Sequence, residues 1–181
     1  MDRVEITSRK GITVASAEHA VDWEQVYRDL LPKVYRFFCY RIGDPLMAED
    51  LTATTFERAW SSRKRYRKDL GAFSGWVFGI ARRVAADYYR GQRPPAPPDK
   101  AASDPGEAHP EEAIQRSSDF ERLAQLLTEL SVRERELISL KYGAGITNRE
   151  IARLSGLSES NVGTILHRAV NRLRDRWKES Q

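Results

Sequence analysis

One stretch divides this chain in two. Between residues 92 and 117, six of its eight prolines (Pro94, Pro95, Pro97, Pro98, Pro105 and Pro110) sit among Ala, Asp, Glu and Ser with no apolar period. Such a segment has too little apolar surface to pack, and its prolines stiffen it locally toward polyproline conformation. It reads as a linker. The 181 residues then fall into an N-terminal half, 21–91, and a C-terminal half, 118–181, each the size of a small domain. Residues 1–20 have no clear period and read as a disordered or accessory extension. With 40% hydrophobic and 31% charged residues, small helical cores with wide solvated surfaces are expected rather than one large core.

Both halves are helical by pattern. Trp23, Val26, Tyr27, Leu30, Leu31, Val34, Phe37, Phe38 and Ile42 recur at steps of three and four. Pro32 within that run predicts a kink or a helix restart. Asp44-Pro45 is a start signal, a capping carboxylate followed by proline at the first helical position. The helix it opens runs through Leu51, Thr55, Phe56 and Ala59 to about Trp60. Gly71 and Gly75 bracket a loop holding Phe73. A third helix starts near Ser74, with Trp76, Val77, Ile80, Ala81, Val84 and Tyr88 on one face, and ends near Gly91. In the second half, Phe120, Leu123, Leu127 and Leu130 form one stripe. Ser131-x-x-Glu134 and Thr147-x-x-Glu150 are capping boxes that each open a helix. The first of these helices carries Leu137, Ile138 and Leu140 and ends at Gly143 and Gly145. No segment alternates long enough to predict a strand. The fold class is all-α: two small helical domains joined by a flexible proline-rich linker.

The segment from Thr147 to Trp177 has the grammar of a helix-turn-helix. That motif needs a small residue where two helices cross, a glycine at the turn and an apolar residue in the second helix. Ala152, Gly156 and Val162 supply these at relative positions 5, 9 and 15. Ile151, Leu154, Leu157 and Leu166 can fill the small core between them. The second helix of such a motif enters the major groove by its N-terminal end. That places Ser158, Glu159, Ser160, Asn161 and Thr164 near base edges, with Asn161 suited to adenine and Thr164 to a thymine methyl. His167, Arg168, Arg172, Arg174 and Arg176 further along suit phosphate. Glu159 could instead favour the helix N-terminus. The alternative is a helical hairpin with no DNA role and a solvated face.

The N-terminal half is more basic than the whole. The formal net charge of the chain is +4, but residues 58–93 hold ten basic residues against two acidic ones, a net +8. Tyr66, Phe73, Trp76, Tyr88 and Tyr89 are interleaved with Arg63, Lys64, Arg65, Arg67, Lys68, Arg82, Arg83 and Arg90. Cations beside stacking rings are what single-stranded or flipped bases require. The competing assignments are a solvated helix face for the charges and core packing for some rings, Trp76 above all.

Other classes are excluded. The lone cysteine, Cys39, lies among Phe37, Phe38 and Tyr40 and reads as a buried hydrophobe; no disulfide is possible. His19, His109 and His167 share no metal-ligand spacing with it, so no metal or other cofactor is expected. The N-terminus lacks a signal peptide's apolar run, and no stretch approaches the ~20 apolar residues of a membrane span. A reduced, cytoplasmic protein without membrane insertion is expected. Without a Gly-rich phosphate loop, a nucleophile motif or a metal set, there are no candidate catalytic residues.

Several segments in this order resemble an extracytoplasmic-function (ECF) sigma factor of bacterial RNA polymerase. Ala48-Glu49-Asp50-Leu51-Thr52-Ala53-Thr54-Thr55-Phe56-Glu57-Arg58-Ala59-Trp60 is similar to that family's polymerase-clamp helix. Gly75-Trp76-Val77-Phe78-Gly79-Ile80-Ala81-Arg82 followed by Asp87-Tyr88-Tyr89-Arg90 is similar to its minus-ten helix. Leu130-Ser131 through Leu173-Arg174, with Leu166-His167-Arg168-Ala169, is similar to its minus-thirty-five domain. The resemblance covers residues 22 to 177. It implies that Glu49, Asp50, Leu51, Thr54 and Phe56 dock on the clamp of the largest polymerase subunit, with Phe56 or Leu51 open to core packing instead. The C-terminal half would meet the flap of the second subunit. Arg65, Tyr66, Arg67, Lys68, Phe73, Arg82, Arg83 and Arg90 would hold minus-ten DNA. Ser158, Glu159, Ser160, Asn161, Thr164, His167, Arg168 and Arg172 would hold minus-thirty-five DNA.

The linker, reaching ~80 Å when extended, would let the halves occupy separate promoter sites. An anti-sigma protein is a further implied partner. The chain departs from the family's usual residues at Arg83, Gly163 and Ile165; the last two imply a weakly basic reading helix that leans on phosphate and helix-dipole contacts. The rival to a sigma factor is a stand-alone helix-turn-helix regulator that binds its operator without polymerase.

Overall fold

The computed structural model describes residues 22–67, 69, 72–91 and 110–179. The N-terminal extension, most of the proline-rich segment and Lys68 lie outside these residues. All regular elements among the described residues are helical.

Asp22 caps the first helix, α1 (Trp23–Ile42), by accepting from the backbone N–H groups of Glu24 and Gln25. The helix runs through Pro32 as one element instead of restarting. Pro32 lacks the N–H that would meet the Arg28 carbonyl, but both residues are exposed, so water can take that carbonyl's bond. Burial of Leu30, Val34, Phe37, Phe38 and Cys39 keeps the rest of the helix in register. Gly43, in the left-handed conformation at φ 83°, ends it. Asp44 then caps α2 (Pro45–Ser61), its carboxylate accepting from the Met47 N–H at 3.2 Å. A 3-10 turn, Arg63–Arg65, follows. The third helix, α3 (Phe73–Gly91), starts one residue before its predicted position, so Phe73 and Gly75 belong to the helix and not to a loop.

In the C-terminal half, α4 (Pro110–Thr128) begins inside the segment predicted as linker. Proline is tolerated at the first helical position. Both capping boxes form: Ser131 and Glu134 open α5 (Val132–Ile138), and Thr147 and Glu150 open α6 (Asn148–Ser155). Between them α5 widens into a π turn, Ser139–Gly143, in which the Ala144 N–H donates to the Ser139 carbonyl at 3.0 Å. Gly156 at φ 71° stops α6, and α7 (Glu159–Glu179) follows.

The expectation of separate small cores does not hold. One contiguous cluster of buried residues runs from Val34, Phe37, Phe78 and Ala81 in the first half to Leu137, Leu140, Ile151 and Val162 in the second. The contact is backbone-close. A Cβ placed on Gly143 would lie 2.8 Å from the Arg36 carbonyl oxygen. Only glycine lets α1 and the π turn approach this far. Local periodicity could not reveal this packing, because it depends on which surfaces of the two halves fit each other.

Two glycines predict opposite outcomes. Gly156→Ala forces a β-carbon onto a positive-φ position and should lower unfolding free energy by about 1–2 kcal/mol. A Cβ on Gly79, inside α3, would meet nothing within 4 Å, so Gly79→Ala should raise it by about 0.5–1 kcal/mol. Urea denaturation followed by circular dichroism reads both.

Candidate nucleic-acid interface

The helix-turn-helix forms as the spacing predicts. Ala152 is buried at the crossing, Val162 is fully buried, and Gly156 makes the turn. Ile151 and Leu166 fill the core, with Leu154 and Leu157 packed half-buried against it. Ser158 caps α7, its hydroxyl accepting from the Asn161 N–H at 3.2 Å. Ser158, just before α7, and Glu159, Ser160, Asn161, Thr164, His167 and Arg168 within it all stand exposed. Arg172, also exposed, reaches back to Glu134 at 3.0 Å.

The two departures in this helix face inward. Gly163 is half-buried, with Asn148 Nδ2 3.8 Å from where its Cβ would be, and Ile165 packs against the core. Their apolar character therefore removes nothing from the exposed reading face. The Asn148 side-chain oxygen is buried there with no hydrogen-bond partner.

In the N-terminal half, rings organise the basic face. Trp23 at the start of α1 meets Trp60 at 5.3 Å and Phe73 at 5.2 Å, both edge-on. Tyr66 packs edge-on to Phe73 at 4.8 Å and lies 5.6 Å from Trp76. This cluster ties α1, the end of α2, the 3-10 turn and the start of α3 together, so the Arg63–Arg67 stretch hangs from a rigid aromatic anchor. Arg63 stacks on Trp60 at 4.1 Å. Arg65, Arg67, Arg83 and Arg90 are exposed. Arg67 pairs with Asp69 at 2.7 Å, and Asp87 bridges Arg58 and Arg90. Hydrogen bonds from Arg58 and Arg90 hold the Asp87 carboxyl below its ordinary range.

On α2, Glu49 and Asp50 are exposed and Thr54 is half-exposed. Leu51 and Phe56 are each 8% exposed and belong to the core. The sequence left core packing open for both beside a partner contact, and both lie along the buried stripe of α2. Tyr27 and Trp60, about half-exposed, are apolar surface beside them.

The seam between the halves uses the candidate DNA face. Arg82 Nε donates to Glu136 Oε1 at 2.7 Å, and its Nη1 donates to the Leu154 carbonyl. Arg41, buried, donates to the Val132 carbonyl at 3.2 Å and lies 4.9 Å from the Tyr89 ring centre. Burial pushes the Arg41 pKa down. Across a cavity of about 310 Å³, Arg65, Tyr66, Arg67 and Trp76 face Glu150, Arg153 and Leu154. Glu136 and Arg41 carried no signal in the sequence: each sits within a helical run where a charged residue reads as solvated surface.

Comparison with known proteins agrees with this architecture. Residues 26–94 match the model of Sigma-70 region 2, and residues 120–173 match Sigma-70, region 4. The ECF RNA polymerase sigma factor BldN of Streptomyces coelicolor is 28% identical over 88% of this chain, which spans 61% of that protein's length. The ECF RNA polymerase sigma factor ShbA of Streptomyces griseus is 33% identical, covering 70% of this chain and 69% of its own. Among solved structures, the sigma factor RpoE of Bartonella quintana, crystallised with the anti-sigma factor NepR, superposes with a TM-score of 0.67. It is 21% identical and covers 88% of this chain and 99% of its own, a likeness of fold.

Glu134 links the cap of α5 to pH. Burial alone would raise its pKa, but hydrogen bonds from Ser131 and the charge of Arg172 outweigh it and lower the net value. A carboxylate held below its unfolded value, about 4.3, stabilises the fold above that pH and ceases to do so as pH falls through the lowered folded value. Glu134→Gln should therefore flatten the acid limb of the stability profile below about pH 5 while costing stability at neutral pH. Urea midpoints across a pH series measure this.

Proposed function

Because the chain belongs to the family of ECF RNA polymerase sigma factors, we propose that it binds core RNA polymerase, recognises minus-ten and minus-thirty-five promoter elements, and thereby starts transcription. The observation that carries this reading is the pairing, in one chain and in this order, of a region 2 match with a region 4 match. A stand-alone regulator needs only the helix-turn-helix and leaves the first half unexplained. The chain supplies specificity, and the polymerase supplies the chemistry. No helix among the described residues is long and apolar enough to cross a membrane, and the proposed place of action is the cytoplasm, where the polymerase works.

Individual roles follow from exposure and charge. Residues 21–91 form the clamp and minus-ten unit, and 118–181 the minus-thirty-five unit. Glu49, Asp50 and Thr54 form the polar face of α2 offered to the polymerase clamp. Arg65, Tyr66, Arg67, Lys68 and Phe73 hold an unstacked base of the melted strand, where guanidinium groups beside rings suit both phosphate and base faces. Arg82, Arg83 and Arg90 hold the backbone around it. In α7, Ser158 through Thr164 meet base edges, while His167, Arg168 and Arg172 meet phosphate. The exposed surfaces of both halves are also what an anti-sigma protein would have to cover.

The test is transcription from purified parts. This chain with bacterial core polymerase should initiate RNA from specific fragments of a genomic library, and omission of either should abolish the products. Asp50→Arg should reduce initiation about tenfold or more, a charge reversal at a polar contact costing roughly 1.4 kcal/mol or more. Binding of the same fragments by the chain alone, as tightly as with polymerase, would establish the regulator instead.

Asn161→Ala offers a narrower check. If Asn161 reads an adenine, its loss should cost about 1–3 kcal/mol at one base position and relax preference there. Arg168→Ala should weaken all sequences alike and lower the salt dependence of binding. A selection from randomised promoters distinguishes the two patterns.

A further inference from the structure

We propose that the cavity between the two halves is a binding site for a guanine nucleotide, completed by Glu150 and Arg153 of α6 and by Arg65, Tyr66 and Trp76 of the N-terminal half.

Unanswered charge marks the place. Arg82 and Arg41, at the same seam, are satisfied within the chain: Arg82 donates to Glu136 and the Leu154 carbonyl, and Arg41 to the Val132 carbonyl. Arg65 and Arg153 line the cavity from opposite halves, and among the described residues neither makes an ion pair. Two like charges turned toward one space repel, and an anion between them relieves that. Arg67, also on the wall, is held by Asp69 in an exposed pair, which a phosphate can replace. A guanidinium presents a planar fork that fits phosphate oxygens two at a time. Arg65, Arg67 and Arg153 are exposed, so the site can be reached from solvent.

The remaining wall suits a base. Tyr66 and Trp76 lie 5.6 Å apart, both half-buried, and such rings stack on the π-face of a base. Gly75 leaves room beside them, since a Cβ there would meet nothing within 4 Å. Opposite stands the Glu150 carboxylate. Its Oε2 accepts from the Thr147 N–H at 3.3 Å and from the Thr147 hydroxyl at 2.9 Å, and a carboxylate has acceptor sites beyond these. An acceptor selects a base edge that donates. Guanine offers adjacent N1–H and N2–H groups, whereas adenine sets a ring-nitrogen acceptor beside its amine. A volume of about 310 Å³ is at the small end for small-molecule sites, which favour seams between packed units. It suits one nucleotide rather than a strand.

Half of this site belongs to α6, which sets it apart from the base-holding surface proposed above. A bound nucleotide would still engage Arg65 and Arg67, so it and a melted minus-ten strand exclude each other. That consequence rests on the proposed role of those residues.

Isothermal titration calorimetry on the full-length chain tests the site with GDP, ADP and inorganic pyrophosphate. GDP should bind, and ADP and pyrophosphate should each bind about tenfold more weakly, as expected when a charge-assisted hydrogen bond or the stacked base is missing. Arg153→Ala, at an exposed position, should weaken GDP about tenfold by removing one such bond. It should leave unchanged the binding of a labelled minus-ten strand from a promoter recovered by transcription. Glu150→Gln keeps the capping box, in which glutamine serves as well, and should abolish the preference for GDP over ADP. GDP should displace the labelled strand from wild type.

Absence of GDP binding, pyrophosphate or ADP binding as tightly as GDP, or GDP binding indifferent to both variants overturns the site. Simultaneous binding of GDP and the strand overturns its placement on Arg65 and Arg67. If wild type supports no polymerase-dependent transcription, the proposed function fails on that readout, and calorimetry still decides whether the cavity takes a guanine nucleotide.

Discussion

The structure depends on one place where two backbones touch. Gly143, in the π turn that follows α5, lies against the Arg36 carbonyl of α1, leaving no room for a side chain. That approach lets Leu137, Ile138 and Leu140 join the core built on Val34, Phe37 and Phe38. The polar seam follows from it. With α1 and α5 in contact, Arg41 reaches the Val132 carbonyl and Arg82 reaches Glu136 and Leu154. Without it, two half-sized helical units would each carry an open apolar face, and small domains have little stability to spare.

The second organising influence is the management of positive charge. The N-terminal half carries a large basic surplus in the sequence, yet much of it is answered locally. Asp87 bridges Arg58 and Arg90, and Asp69 meets Arg67. Exposed pairs of this kind are individually weak and easily traded for phosphate. The chain can therefore hold a DNA-facing surface in a quiet state without neutralising it permanently. The aromatic cluster of Trp23, Trp60, Tyr66, Phe73 and Trp76 is the opposite kind of element: it fixes where the cations project.

What the sequence made legible was what local rules govern. Asp44, Ser131 and Thr147 acted as caps, Gly156 made the turn, and Ala152 and Val162 marked the crossing, because each such requirement is met within a few residues of chain. Element ends were read less well where composition competed with position. Pro110 looked like linker because its neighbours are small and polar, yet it occupies a helix start. Pro32 looked like a break, but its lost hydrogen bond falls on the water side. Leu51 and Phe56 stood open between a binding face and core packing, because their spacing fits both, and they lie in the buried stripe. The seam was not legible at all. Glu136, Arg41 and Gly143 have meaning only against the other half of the chain, and no local period records that.

The π turn has a consequence of its own. Five-residue hydrogen bonding inserts an extra residue into what would otherwise be a continuous α-helix. Each residue of a helix turns the chain by about 100°, so this insertion sets the rotational phase at which everything after Gly143 leaves α5. Removing one residue there would leave the caps and the helix-turn-helix intact as local structures but aim them in another direction. The bulge works as an angular offset between reading head and body, and the spacing of residues 139–143 matters as much as their identity.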